Sequence, residues 1–261
     1  MSSRFFVVLT TAASFAALSC GSPSAPTPLG LSKSLATAHY VFHYSEGDSV
    51  NSAWLEEFHA WAAAALDVAG DRPITYNKYL SRAHMDALIG VGNTNGFANP
   101  NAFVVHTIWP IDNHEVVHLL ASSFANPGPV ALFNEGLAVA HQTNPPGGDF
   151  VAKWSGVALD DRARAFRASG QLASIASMVT TGGFRAISPD VSYPEAGSFV
   201  KYVLSRFALA KIKTFFQRGR PDDSVATVEA AFVDVFGVSL GQIETDWLRH
   251  LDATATLPAG R

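Results

Sequence analysis

Apolar residues recur at two different periods along this chain, and the change from one to the other divides it. In His39-Tyr40-Val41-Phe42-His43-Tyr44, aromatic residues alternate with His and Val. A period of two predicts a half-buried strand, with His39 and His43 on its more polar face. The stretches 74–76 and 102–107 read as two further strands. Among them, Val50, Trp54, Phe58, Trp61, Ala62 and Ala65 recur at helical spacing behind the turn Glu46-Gly47-Asp48-Ser49, and 70–73 ends that helix. Ser81 caps a short helix through Leu88, and the Gly- and Asn-rich stretch 89–101 reads as loop.

Beyond residue 108 every periodic segment is helical. A first helix carries Val116, Val117, Leu119 and Leu120, with Asp112 as its candidate N-cap and Pro110 suited to its first turn. Pro127-Gly128-Pro129 breaks the chain, and Val130, Phe133, Leu137 and Ala140 or His141 then recur at helical spacing. Gly136 lies inside this second helix, where glycine costs about 1 kcal/mol relative to alanine. Close passage of another backbone is the expected reason, and the first helix is the expected neighbour. After a surface loop at 144–149, helices are predicted over 160–168, ending near Gly170, and over 171–179, before a Thr-Gly-Gly turn. Ser192-Tyr193-Pro194-Glu195 reads as a capping box that opens a helix continued by Phe199, Val200, Val203, Leu204 and Phe207. Helices over 211–217, 225–236 and from Ser239 to Leu251 complete an α+β chain, with a small N-terminal sheet and a helical C-terminal lobe. The lobes are expected at 37–126 and 127–252, with a frayed tail at 253–261.

Composition changes the picture mainly at the N terminus. Arg4 precedes an uncharged, largely apolar run over 5–18 that ends in small residues, the pattern of a secretory signal and too short for a comfortable membrane span. Cys20 is the chain's one cysteine, so no intramolecular disulfide forms. Ala17-Leu18-Ser19-Cys20 resembles a bacterial lipobox. That resemblance implies removal of 1–19, a lipid on Cys20, and an exported protein anchored to the bacterial cell envelope, with 20–36 as a flexible tether. The net charge is −4, and becomes −5 without Arg4. No basic stripe marks a nucleic-acid interface. The 48% hydrophobic content supports a sizeable core.

The chemistry concentrates in His114-Glu115-Val116-Val117-His118 and Phe133-Asn134-Glu135-Gly136-Leu137-Ala138. Residues i and i+4 of a helix differ by only about 40° of azimuth, so His114 and His118 point the same way from adjacent turns. Two imidazoles so placed can clamp a metal. Glu115, beside them, is the candidate general base of a zinc hydrolase, and Glu135 the candidate third ligand. A helix this apolar is mostly buried, where two histidines and a carboxylate need partners, and a metal is the simplest one.

His-Glu-x-x-His followed by Asn-Glu-Gly-Leu-Ala resembles the gluzincin metallopeptidases, most closely the bacterial peptidase MA-like family. The resemblance implies a zincin-like fold, Zn2+ bound by His114, His118 and Glu135, and a peptide or protein substrate. Glu135 follows His118 by seventeen residues, slightly fewer than in the thermolysin-like or aminopeptidase N-like members. In zincins the strand before the metal helix is the sheet's edge and binds an extended peptide, and 102–107 inherits that role by resemblance; the residues alone fit an internal strand equally. Tyr193, shortly before Gly197, resembles the aminopeptidase N-like tyrosine that hydrogen-bonds the tetrahedral intermediate, although it stands one residue further from the glycine. Aminopeptidases of that group also hold the substrate's α-amine with carboxylates, whereas no acidic residue occurs between Ile89 and Ile111, so internal cleavage is expected. His39, His43, His106 and His141 are read as bystanders. Two alternatives remain open at this stage: a non-catalytic envelope lipoprotein that uses a zincin cleft to bind a peptide or protein, and a lipoprotein without metal.

Overall fold

The structure, a computed structural model, describes residues 30–91, 94–142 and 150–254. The expected leader, Cys20, the loop at 144–149 and residues 255–261 lie outside the described residues. Five strands, β1 (Lys33–Ala36), β2 (Tyr40–Tyr44), β3 (Ile74–Lys78), β4 (Gly96–Asn99) and β5 (Val104–Thr107), form one sheet in the order β1-β2-β3-β5-β4. The three middle strands are mutually parallel, and β1 and β4 pair antiparallel at the two edges. Alternation in β2 turns Tyr40 and Phe42 inward, where Phe42 pairs in register with Tyr76 of β3. Helix α1 (Ser52–Ala65) follows β2; the Asn51 side chain accepts from the Trp54 amide, and Trp54, Leu55, Phe58 and Ala62 are buried. His39 ties the sheet to α1, donating its amide to Glu56 at 2.8 Å and pairing Nδ1 with the same carboxylate at 2.6 Å. His43, expected on the polar face, is buried.

Helix α2 (Arg82–Ile89) begins at the Ser81 cap, as its sequence indicates. Three expectations for the sheet are corrected. The tether to residue 36 is shorter, because Leu31 is buried and Lys33–Ala36 is a paired edge strand. The supposed loop 89–101 contains β4, and its glycine has a steric reason. A Cβ at Gly96 would stand 2.4 Å from Asp112 Oδ2, so only glycine lets this edge strand approach so closely the helix that Asp112 caps. The strand just before that helix, β5, is internal, and β4 is the edge. The connection between them places Phe103 at φ +60°, a left-handed conformation that costs a non-glycine residue about 1–2 kcal/mol.

The second half is helical apart from one small hairpin. Helices α3 (Asn113–Ala121) and α4 (Ala131–His141) precede β6 (Lys153–Trp154) and β7 (Val157–Ala158), which pair antiparallel. Then follow α5 (Leu159–Ser169), α6 (Ile175–Met178), α7 (Thr181–Ala186), α8 (Pro189–Arg206), α9 (Leu209–Arg218), α10 (Val225–Phe236) and α11 (Leu240–Thr254). One continuous core runs from Tyr40 and Phe42 of the sheet to Phe232 and Trp247 of the last helices.

Further expectations fail here for local reasons. Only 175–178 of the expected helix 171–179 is helical, and Thr181-Gly182-Gly183, read as a turn, opens α7 behind a Thr180 cap. Ser192 and Glu195 form no capping box: α8 starts a turn earlier at Ser188-Pro189, which leaves both residues buried inside the helix. Pro110 precedes α3 instead of sitting in its first turn. Gly136 does mark a close approach, but to α8. A Cβ there would meet Val200 Cγ2 at 2.5 Å and the Ala196 carbonyl oxygen at 2.8 Å. Gly197 returns the contact, since its Cβ would lie 2.4 Å from Val139 Cγ1 of α4.

Candidate metal centre

Helix α3 is short and firmly started. The Asp112 side chain accepts from the Glu115 amide and, at 2.6 Å, from the Thr107 hydroxyl of β5. The sheet thereby fixes the azimuth of the helix, while Val116, Val117, Leu119 and Leu120 hold its apolar face in the core. His114 and His118 emerge from the remaining face. Helix α4, locked against α8 by Gly136 and Gly197, presents Glu135 to them.

The three side chains converge. Glu135 Oε2 lies 3.1 Å from His114 Nε2 and 3.3 Å from His118 Nε2, and the two imidazole nitrogens are 3.1 Å apart. For bonds of about 2.0–2.1 Å, the edges of a tetrahedron around a metal are about 3.3–3.4 Å. The donor triangle is therefore the size a four-coordinate cation needs, and its chemistry, two imidazoles and one carboxylate, is of the kind that binds divalent metals. Among the described residues no other such group of His, Cys, Asp and Glu occurs.

The electrostatics follow from burial among like and unlike charges. Burial alone would lower the His114 pKa, but its hydrogen bond to Glu135 and the charges of Glu115, Glu135 and Asp112 raise it to about 9. Burial would raise Glu135, yet His118 and His114 hold it well below the usual carboxylate range. Glu115 is different. Burial and the Asp112 charge push it up to about 7 against the pull of the two histidines, which poises it for proton transfer near neutral pH.

A cleft of about 890 Å3 opens over the triangle. Its walls are the β4 edge on one side and Trp154, Arg185, Asp190 and Tyr193 on the other, with the largely buried Glu115 lining the floor between them. Tyr193 thus shares the cleft, its ring 6.0 Å from that of His114 and braced by Trp154 and Phe184 at 5.6 and 5.2 Å. It sits in the second turn of α8 and not at the helix start, and burial together with the Glu135 and Glu115 charges raises its pKa, so it is a neutral donor. His106 is elsewhere, its Nδ1 2.8 Å from the Tyr79 hydroxyl and its ring stacked on Phe97. His141 donates Nδ1 to the Leu137 carbonyl of its own helix. Neither His39 nor His43 lines the cleft.

Two contributors are absent from the sequence reading. Gln142, just past α4, places Oε1 2.8 Å from His114 Nδ1, while its Nε2 donates to the Lys153 carbonyl at 3.3 Å. That carbonyl can only accept, so the amide orientation follows, and Gln142 Oε1 must receive a proton from His114 Nδ1. With Nδ1–H committed to Gln142, Nε2, which the Glu135 carboxylate keeps protonated in the metal-free triangle, is the nitrogen whose lone pair would face a bound metal. Trp154 of the same hairpin braces Tyr193. A buried glutamine at a helix end carries no sequence signal that separates it from a surface one. Family models, curated proteins and solved structures give no match to this chain.

Proposed function

We propose that this protein is a zinc-dependent peptidase of zincin-like architecture that cuts within extended polypeptides. The observation that carries the reading is the convergence of His114, His118 and Glu135 beneath an open cleft, with the poised carboxylate of Glu115 beside them and committed to none of the three. Three protein ligands and an adjacent base are the composition of a catalytic zinc site; structural sites close all four positions with protein. Bound there, zinc supplies Lewis acidity to a carbonyl and lowers the pKa of water to about 7.

The remaining work falls to the chain. Glu115 takes a proton from the attacking water and later delivers it to the leaving amine, a role worth about 10²–10⁴-fold in rate. Tyr193 donates its hydroxyl proton to the oxygen on which charge develops. The outer edge of β4 beyond Gly96, whose own amide and carbonyl are held by the Thr94 hydroxyl, offers main-chain donors and acceptors to a substrate laid down as an added strand, which fixes the scissile bond relative to α3. The β4 wall, along which the substrate strand would lie, carries no carboxylate to pair an α-ammonium, and Asp190 stands on the opposite wall at the start of α8; internal cleavage is the reading that needs no acid on the β4 side. Lipidation at Cys20 completes the proposal by holding the enzyme at the bacterial cell envelope; a Cys20→Ala protein that still incorporates labelled lipid removes that part.

The test is to incubate wild type and Glu115→Gln with a diverse peptide mixture, half of it N-terminally acetylated, and to map the cleavages. Internal cuts indifferent to acetylation, lost by at least about a hundredfold in Glu115→Gln, are expected. An equally active Glu115→Gln protein refutes the mechanism, and release of single residues only from free N termini refutes the internal-cleavage reading.

A further inference from the structure

A second concavity, of about 210 Å3, opens beyond the C-terminal end of α3. Pro100, Ser122 and Asn126 line both it and the main cleft, so the two share a rim and a chain lying in one reaches the other. Its floor is apolar, made by Val68, Phe103 and Leu120, with Phe103 and Leu120 only 7% and 2% exposed. Polar groups stand at the rim. The Arg72 guanidinium lies 4.4 Å over the Phe103 ring and donates to the Asn101 carbonyl at 3.3 Å, which makes it a fixed wall. Phe103 occupies a position, φ +60°, at which glycine or asparagine would turn the chain without strain. Neither would supply a floor.

Size decides what fits. At about 30 Å3 per water the space equals roughly seven waters, below the roughly 300–1,000 Å3 of small-molecule sites and enough for one large side chain. Position decides whose side chain it is. Ser122 lies four residues beyond His118, about 6 Å along the helix, and an extended peptide advances about 3.3 Å per residue. A residue about two positions from a bond held over the triangle therefore arrives here. The free edge of β4 points the same way, since Pro100, which continues it, lines both spaces.

We propose that this concavity is a side-chain subsite of the cleft, selecting extended polypeptides that carry a large aliphatic or aromatic residue about two positions from the cleaved bond. The proposal rests on the peptidase reading. It is tested with internally quenched peptides in which each position around a fixed bond is in turn Leu, Gly or Asp, cut by wild type and by Ala69→Trp. Ala69 is exposed and lines the concavity, so Ala69→Trp crowds the space from its rim without replacing a buried side chain. Wild type should prefer Leu to Asp by at least about tenfold in kcat/KM at that one position. Ala69→Trp should lose the preference, while both proteins cut equally a short capped peptide that does not reach the subsite. No preference in wild type, or an intact preference in Ala69→Trp, overturns the subsite and leaves the peptidase reading standing. A wild type that cuts none of the peptides overturns both.

Discussion

Replacing Gly136 by alanine should destabilise this protein, against the usual sign for a helix interior. By propensity alone the change would add about 1 kcal/mol of stability. Here the new Cβ would stand 2.5 Å from Val200 Cγ2 and 2.8 Å from the Ala196 carbonyl oxygen. Val200 is buried and β-branched, with one favoured rotamer in a helix, and the carbonyl belongs to the α8 backbone, so α4 and α8 must separate. Overpacking costs about 1–3 kcal/mol, and because backbone must move here the upper part of that range applies, about 2–3 kcal/mol, against the gain of about 1. A net loss of about 1–2 kcal/mol is therefore expected, which for a chain of this size lowers Tm by about 2–8 °C. Gly241→Ala in α11, where a Cβ meets nothing within 4 Å, is the control and should be neutral or slightly stabilising. Thermal unfolding followed by circular dichroism measures both. A Gly136→Ala protein that melts at or above wild type, with the control behaving as expected, would refute the close packing of α4 on α8 and with it the account of how Glu135 is held.

Glu195 is fully buried, with Oε2 accepting from the Ala173 amide at 3.1 Å and Oε1 unpartnered; burial, opposed by that hydrogen bond and aided by the Glu244 charge, raises its pKa to about 8. The folded state then keeps a proton that the unfolded chain releases near pH 4.3, so this group's contribution is full below about pH 4 and is lost as pH rises through about 8. Urea midpoints compared at pH 5 and pH 9 should show a smaller decline for Glu195→Gln than for wild type, and parallel declines would contradict it. Gln142→Leu should lower zinc affinity by about 10–100-fold in a chelator competition, because it removes the acceptor that sets the His114 tautomer; unchanged affinity would show that the hydrogen bond is incidental.

How much of this was legible in the chain depended on whether the signal was local. Helix α3 was, because its cap, its i and i+4 histidines and its apolar face all lie within ten residues, 112–121. The Glu135 helix was too, since Pro127 and Pro129 mark its start and Phe133 and Leu137 its buried stripe. The partner of Gly136 was not: a glycine reports that something comes close and is silent about what. Strand β4 was hidden because its glycine answers to Asp112, sixteen residues on, and Gly-Phe-Ala-Asn has the composition of a loop. Ser192 and Glu195 matched a capping pattern, but Ser188-Pro189-Asp190 offered a better start four residues earlier, and burial of Glu195 against Ala173 is a long-range fact. Gln142 gained its role from a hairpin carbonyl eleven residues on, which no spacing rule anticipates.

The central claim is that His114, His118 and Glu135 hold a metal ion that Glu115 does not bind. Its most direct test is the metal content of wild type, Glu115→Gln, His118→Ala and Glu135→Ala after equilibration with zinc and removal of the excess. Wild type and Glu115→Gln should retain equal, near-stoichiometric zinc, and the two ligand variants should lose most of it while keeping their helical circular dichroism. Full occupancy in His118→Ala, or loss of the metal from Glu115→Gln, would contradict the account.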